Sequence, residues 1–119
     1  MHERGRRTKE LPAPPHVVWA DLVERRAEGT RAWLELRDDE RRPEVLSSVE
    51  GRQVVWSSLW PERPDDRIEL TITPDGTGGS RLEFVWLAAD PDPAPATVGH
   101  LRRRLNELLY ADLRYSYGQ

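Results

Sequence analysis

The sequence predicts an α+β fold in which a curved antiparallel β-sheet of about six strands wraps around a long C-terminal helix, preceded by a short N-terminal helix. Apolar and polar residues alternate along residues 68–73, which is typical of a strand with one buried face. Leucines recur at helical spacing within residues 98–109 and form one apolar stripe. An antiparallel sheet must cover its apolar face, and only the last helix is long enough to do so. We therefore expect that helix to pack across the sheet.

The composition indicates a single domain over residues 1–119 and excludes several classes of function. With 21 acidic and 18 basic residues, the net charge of −3 does not favour nucleic-acid binding. Cysteine is absent, which excludes disulfides, thiol nucleophiles and cysteine-based metal sites. No apolar run approaches the ~18 residues of a membrane span, and the first residues form no apolar signal segment. We expect a cytoplasmic protein without membrane span, metal or cofactor, either monomer or homodimer.

The N-terminal part of the sequence predicts an edge strand followed by a helix. Residues 6–11 are polar and form only a weak strand pattern. Three prolines within residues 12–15 interrupt this pattern and favour a helix start, because proline fits the first helical turn. Residues 16–26 then carry an apolar stripe at helical spacing, which predicts a short helix that ends near Gly29.

The middle of the sequence predicts a run of antiparallel strands. Strand patterns cover residues 31–37, 43–50, 52–60, 68–73 and 81–88. A glycine-rich loop, residues 75–79, joins the last two strands. Pairing across this loop places Ile72 beside Leu82. It also places Leu70 beside Phe84, so the buried face fixes the register of the predicted hairpin.

The last segment, residues 95–117, predicts the longest helix. Its apolar stripe consists of Val98, Leu101, Leu105, Leu108 and Leu109. Gly118 is a natural stop. The arginines at 102–104 lie off or at the edge of this stripe, where we expect them to face water. A docking patch is the alternative for these three arginines.

Asp112 is the polar residue that this helix accommodates least easily. On a helical wheel it lies between Leu101 and Leu105, near the centre of the stripe. An isolated buried carboxylate is costly, so the simpler interpretation is that Asp112 is solvated near the helix end or paired with Arg81 or Arg114. The alternative is a polar anchor or proton acceptor in a cavity, with its pKa raised by desolvation.

The order of these segments, together with short motifs, resembles one known superfamily. The matching features are Ala13-Pro14-Pro15 followed by Val18-Trp19 and Leu22, the strand Val54-Val55-Trp56, the turn Gly76-Thr77-Gly78-Gly79-Ser80 leading into Leu82, and a long helix after a proline-rich loop. These features resemble the START-related SRPBCC superfamily, whose fold is called the helix-grip. The resemblance covers nearly the whole sequence.

The resemblance implies a cavity between the sheet and the C-terminal helix that holds an apolar or aromatic small molecule. Members include polyketide cyclases, lipid carriers and activators of a chaperone ATPase, so three functions stay open. They are a ligand-binding or carrier domain, which we favour, a cyclase-like enzyme, and a protein-interaction module. The ligand contacts expected from the resemblance are Trp56, Phe84, Trp86, Leu105, Asn106, Leu109, Tyr110 and Asp112. Because only 37% of the residues are hydrophobic, we expect a small or nearly filled pocket.

Overall fold

The computed structural model describes residues 1–90 and 94–118. The elements in chain order are β1 (His2–Leu11), α1 (Pro15–Glu24), β2 (Val45–Val49), β3 (Gln53–Ser57), β4 (Arg67–Pro74), β5 (Ser80–Ala88), α2 (Pro95–Glu107), a π-helical turn (Leu108–Asp112) and α3 (Leu113–Tyr115). The last three are continuous and are called the C-terminal helix below. The proline-rich connection predicted at residues 90–96 lies partly outside the described residues.

The described strands form one antiparallel sheet in the order β1-β5-β4-β3-β2. The predicted α+β layout is confirmed, with five strands where the sequence suggested about six. The difference lies in residues 31–37, which form no strand. Trp33 and Leu34 are both buried, and both backbone N–H groups donate to the Arg26 carbonyl at 3.0 Å. This segment therefore folds back onto the end of α1 instead of pairing with the sheet.

The hairpin of β4 and β5 has the predicted register. Ile72 pairs with Leu82, and Leu70 pairs with Phe84. The Asp75 carboxylate closes the loop by accepting hydrogen bonds from the backbone N–H groups of Thr77, at 2.8 Å, and Gly79, at 3.1 Å. Position 79 requires glycine, because a Cβ there would lie 2.6 Å from Asp75 Oδ2 and 2.7 Å from the Leu11 carbonyl oxygen.

Helix α1 ends earlier than the sequence predicts. It ends at Glu24, and Arg25 takes a left-handed conformation with φ of 52°. The Arg25 guanidinium donates to the Val23 carbonyl at 2.8 Å and to the Pro43 carbonyl at 2.5 Å. These bonds tie the helix end to the segment before β2, so the chain leaves the helix at this point.

Indole rings fill the concave face of the sheet. Trp56, Ile68 and Trp86 lie side by side on β3, β4 and β5. Trp33 stacks on Trp56, with ring centres 6.2 Å apart and planes 23° apart. Trp60 meets Trp86 edge-on at 6.5 Å. All four indoles are buried. Buried side chains, including these four indoles, therefore fill most of the core between the sheet and the helices.

A π-helical turn changes the buried face of the C-terminal helix. The backbone N–H of Leu113 donates to the carbonyl of Leu108, five residues earlier. The wider turn holds one extra residue, and Leu113 becomes fully buried. Asp112, placed near the centre of the stripe by a regular wheel, is only half-buried. Among the described residues, no helix is long and apolar enough to cross a membrane.

Candidate ligand-binding site

An open pocket of about 280 Å³ lies between β1 and α2. We call it the β1–α2 pocket. Its lining residues are Arg6, Arg7, Phe84, Gly99, Arg102, Arg103 and Asn106. Two of these, Phe84 and Asn106, belong to the set of ligand contacts expected from the sequence. The other members of that set do not line this pocket.

Regular pairing and helical spacing bring the lining residues together. Arg7 pairs with Phe84 across β1 and β5, so both side chains lie on the concave face. On α2, Gly99, Arg103 and Asn106 recur at spacings of four and three residues, which places them on one face of the helix. An added Cβ at Gly99 would meet nothing within 4 Å. The missing side chain at position 99 therefore leaves part of the pocket open.

The backbone of Gly5 holds Arg102 in place. The pairing of β1 with β5 shifts register between Glu3 and Gly5, which is a β-bulge. A Cβ built at Gly5 would lie 2.8 Å from Arg102 Cγ and 3.3 Å from its Cδ. The aliphatic part of Arg102 therefore packs on the bare backbone of β1, beside the pocket.

The four lining arginines differ in their ionic partners. Arg6 is paired with Glu3 at 2.7 Å and with Glu83 at 2.9 Å. Within the part of the chain that the structure describes, the guanidinium groups of Arg7, Arg102 and Arg103 have no hydrogen-bond or ion-pair partner. Three uncompensated positive charges therefore face one pocket.

Asn106 contributes a polar atom that no protein group satisfies. Its Oδ1 is buried and has no hydrogen-bond partner among the described residues. A buried acceptor without a donor costs about 1–3 kcal/mol. Such atoms need an explanation, and because this oxygen has no accessible surface, a ligand donor would reach it only after the Asn106 side chain rotates toward the β1–α2 pocket.

Four of the remaining expected contacts lie inside the core. Trp56, Trp86, Leu105 and Leu109 have no exposed surface. The indole N–H of Trp56 donates to the Leu22 carbonyl at 2.9 Å, and that of Trp86 donates to Asp66 Oδ2 at 3.0 Å. A ligand would reach these rings only by displacing the side chains around them, so their role as ligand contacts stays a prediction.

Tyr110 fastens the C-terminal helix to the sheet. Its hydroxyl lies 2.6 Å from the Leu82 carbonyl oxygen and 2.8 Å from the Arg7 carbonyl oxygen. Its ring centre lies 6.0 Å from that of Phe84. Burial raises the pKa of the Tyr110 hydroxyl. Tyr110 therefore supports the Phe84 wall of the pocket from behind while its hydroxyl points at backbone carbonyls.

Asp112 lacks the arginine partner that the simpler interpretation of the sequence allowed. Among the described residues, no hydrogen bond or ion pair joins Asp112 to Arg81 or Arg114; Arg81 lies 3.6 Å from the Glu10 carboxylate, and Arg114 donates to the Glu10 carbonyl at 3.4 Å. Burial raises the pKa of the Asp112 carboxyl, and the positive charge of Arg104 opposes that shift. Asp112 is therefore a desolvated carboxylate that lacks a direct ion-pair partner among the described residues.

Arg104 is buried, which corrects the prediction that it faces water. Its Nε lies 2.7 Å from Glu40 Oε2 and its Nη2 lies 2.9 Å from Glu40 Oε1, so the pair is bidentate. Nη2 also donates to the Glu35 carbonyl at 2.5 Å. The spacing of Arg104 from Leu101 and Leu108 places it on the buried face, and this signal was available in the sequence.

Comparison with known proteins shows the fold. No protein-family model matches the chain, and no curated protein is significantly similar in sequence. The solution structure of the Aha1 dimer from Colwellia psychrerythraea has a TM-score of 0.67 at 13% identity, covering 92% of this chain and 91% of that one. The crystal structure of CalU16 from Micromonospora echinospora has a TM-score of 0.64 at 17% identity, covering 88% and 70%. A START superfamily protein from Mycobacterium smegmatis has a TM-score of 0.53 at 12% identity, covering 96% and 95%.

These likenesses confirm the helix-grip fold expected from the sequence motifs. The comparison therefore defines the class of protein by its fold alone, a helix-grip domain. At identities this low the likeness carries no ligand or activity with it. Function has to be argued from the residues of this chain.

Proposed function

We propose that this protein is a small-molecule-binding domain that holds an apolar or aromatic ligand in the β1–α2 pocket. One observation carries the proposal: an open pocket of about 280 Å³ is lined by Phe84 and Gly99 together with polar and charged side chains. Ligand sites typically combine apolar walls with a few placed polar groups. A ligand there would lie against the small exposed part of Phe84 and would reach Asn106 Oδ1 once that side chain rotates.

The filled core supports a site at the edge of the sheet. Trp33 and Trp56 stack on each other in the core, and both are buried. The pocket of about 280 Å³ is near the lower limit of ~300 Å³ for small-molecule sites. The proposed ligand is therefore small, of the size of one or two fused rings. A cytoplasmic location belongs to the same proposal.

A blocking substitution tests this proposal. Gly99→Leu adds a side chain where position 99 is open and replaces glycine in a helix, which favours folding. Native mass spectrometry on freshly purified protein, followed by thermal-shift assays with fused-ring aromatic compounds, should show binding to the wild type and not to this variant. Ala111→Leu, at an exposed position of the same helix, is the control and should retain binding. Binding that survives Gly99→Leu would contradict the proposed location.

A protein-interaction module is the second candidate, and one observation favours it. Leu46 and Val49 on the edge strand β2 are 45% and 52% exposed. An uncovered edge strand with apolar side chains can pair with another chain. A specific partner captured by the wild type and lost with Leu46→Asp, at unchanged stability, would support this function.

The enzyme alternative stays a prediction. It requires Asp112 or a tyrosine to move a proton, and the Tyr110 hydroxyl points at two backbone carbonyls. A proton donor or acceptor must lie within hydrogen-bond reach of the reacting group.

A further inference from the structure

We propose that the ligand of the β1–α2 pocket carries an oxyanion, a carboxylate or a phosphate, which Arg7, Arg102 and Arg103 bind. This inference rests on the proposed function and specifies the chemical class of its ligand. The lining contains four arginines and no acidic residue. Arg6 is neutralised by Glu3 and Glu83, so the other three supply the charge that a ligand would meet.

Three other surface pockets of similar size differ from the β1–α2 pocket because acidic residues are part of their lining. The pocket between the β3–β4 connection and α2 includes Asp39 and Glu62. The pocket beside β2 and β3 includes Glu44, and the pocket after β5 includes Glu62 and Asp65 among four acidic residues. The pockets beside α2 and after β5 therefore hold at least as many carboxylates as arginines, whereas the pocket beside β2 and β3 sets one carboxylate against three arginines. The β1–α2 pocket concentrates positive charge in a protein whose net charge is −3.

The three arginines come from two elements that border the pocket, β1 and α2. Arg7 comes from the paired position on the edge strand β1, while Arg102 and Arg103 come from α2. Guanidinium groups bind carboxylate and phosphate through a planar fork of donors. A ligand in the pocket would thus have its oxyanion bound between the strand and the helix.

The aliphatic part of Arg102 packs against β1. Its Cγ and Cδ lie against the bare backbone of Gly5, which limits the rotamers open to this long side chain. A side chain that is already ordered loses less entropy on binding. The β-bulge that places Gly5 opposite α2 therefore prepares one of the three arginines for an anion.

Asn106, one helical turn from Arg102 and Arg103, adds a second requirement for the ligand. Its buried Oδ1 accepts hydrogen bonds and would repel an anionic oxygen, so it needs an O–H or N–H donor. The matching ligand is an aromatic acid or phosphate that also carries a donor group. A suitable probe is 6-hydroxy-2-naphthoate, with 6-hydroxy-2-naphthamide as its neutral match and 6-hydroxy-2-naphthyl phosphate as the second oxyanion.

The test is titration of the full chain with these three probes. Isothermal calorimetry measures the affinities, and the amide signals of Gly99 and Asn106 in NMR spectra report binding at the pocket. At least one anion should bind about tenfold or more tightly than the neutral amide. Raising the salt concentration from about 20 mM to about 300 mM should weaken binding of the anion and leave the affinity for the neutral amide unchanged. The better anion identifies which oxyanion the site prefers.

Variants that each remove the charge of one arginine test which arginines bind the anion. Arg7→Gln, Arg102→Gln and Arg103→Gln should each weaken the preferred anion about three- to tenfold while changing the amide less than about twofold. Arg52→Gln removes the same charge from the exposed turn between β2 and β3 and should change neither. An equal loss with Arg52→Gln would overturn the assignment, because it would show a general charge effect.

The outcomes separate this inference from the proposed function. If the amide binds as tightly as both anions and perturbs Gly99 and Asn106, the anion inference is wrong and the proposed function stands. If none of the three probes perturbs Gly99 or Asn106, the proposed function itself is wrong. Preference for an anion that disappears in the three arginine variants supports both.

Discussion

Arg102 lies across the backbone of Gly5 so closely that a Cβ at position 5 would stand 2.8 Å from its Cγ. This contact joins the helix that carries Arg102 and Arg103 to the edge strand that carries Arg6 and Arg7. A change at Gly5 should therefore act on ligand binding through Arg102, although residue 5 does not itself line the pocket.

Gly5→Ala should displace Arg102 and weaken binding of the preferred anionic probe by about threefold or more. The neutral amide should bind as before. Because the arginine chain can swing away, stability should fall by no more than about 1 kcal/mol. Calorimetric titration and urea unfolding measure the two effects, and Gly99→Ala is the control for a glycine-to-alanine change on α2. Unchanged anion binding in Gly5→Ala would show that the ordering of Arg102 is irrelevant.

Asn106→Leu should stabilise the protein and abolish ligand specificity. The leucine removes the buried Oδ1 that lacks a donor, so the free energy of unfolding should rise by about 1 kcal/mol. Compounds with and without the hydroxyl should then bind with equal affinity. Urea denaturation measures the stability. A loss of stability in this variant would mean that Asn106 is satisfied in the folded protein.

Asp112→Asn should change how stability depends on pH. Burial raises the pKa of the Asp112 carboxyl above 3.8, so the stability that its protonated form contributes is present at low pH. This contribution is lost as the pH rises through the folded-state pKa. The asparagine variant should therefore be more stable than the wild type at neutral pH, with an advantage that shrinks toward about pH 3. Urea unfolding over this range checks it, and a difference that is constant with pH would contradict the raised pKa.

The ion pair of Arg104 and Glu40 should be costly to break from one side. Glu40→Gln leaves the buried Arg104 guanidinium without its bidentate partner. We expect a loss of about 2–4 kcal/mol, below the usual upper limit because Glu107 lies 3.5 Å from Arg104. The double change Glu40→Leu with Arg104→Met should lose less than the single change, because it leaves no unpaired charge. A double variant as unstable as Glu40→Gln would argue against this account.

The ion pair of Arg104 and Glu40 should also make the stability of the folded protein decrease at acidic pH. Burial opposes ionisation of Glu40, yet hydrogen bonds from Arg104 and from the Arg37 backbone lower its pKa below 4.5. The pair therefore contributes stability above pH 4.5 that is lost as the pH falls through the folded-state pKa. Wild type should lose stability over this acidic interval, and Glu40→Gln should lack that component. Parallel pH profiles for the two proteins would contradict it.

The sequence was most informative where one local rule decides the structure. The register of Ile72 with Leu82 follows from alternation and loop length, because a slip by one residue would expose the buried face. The π-helical turn could not be predicted in this way. It adds one residue to the turn, exchanges Leu113 for Asp112 on the buried face, and leaves no mark in the spacing of the leucines before it.

The candidate site was only partly predictable for a related reason. Phe84 and Asn106 were expected from the helix-grip resemblance, and both line the pocket. Arg7 lies on an edge strand whose polar sequence hides which face it presents, and it reaches the pocket through strand pairing with β5. Glu40, the partner of Arg104, lies 64 residues away in an irregular segment, so helical spacing could suggest that Arg104 is buried but could not identify its partner.

The most direct test of the central claim is the position of a bound ligand. Intermolecular nuclear Overhauser effects from the ring protons of bound 6-hydroxy-2-naphthoate should reach the Phe84 ring and the Gly99 Hα, which line the β1–α2 pocket. Contacts to the indole protons of Trp56 and Trp86, without contacts to Phe84 or Gly99, would place the ligand in the core and contradict this account.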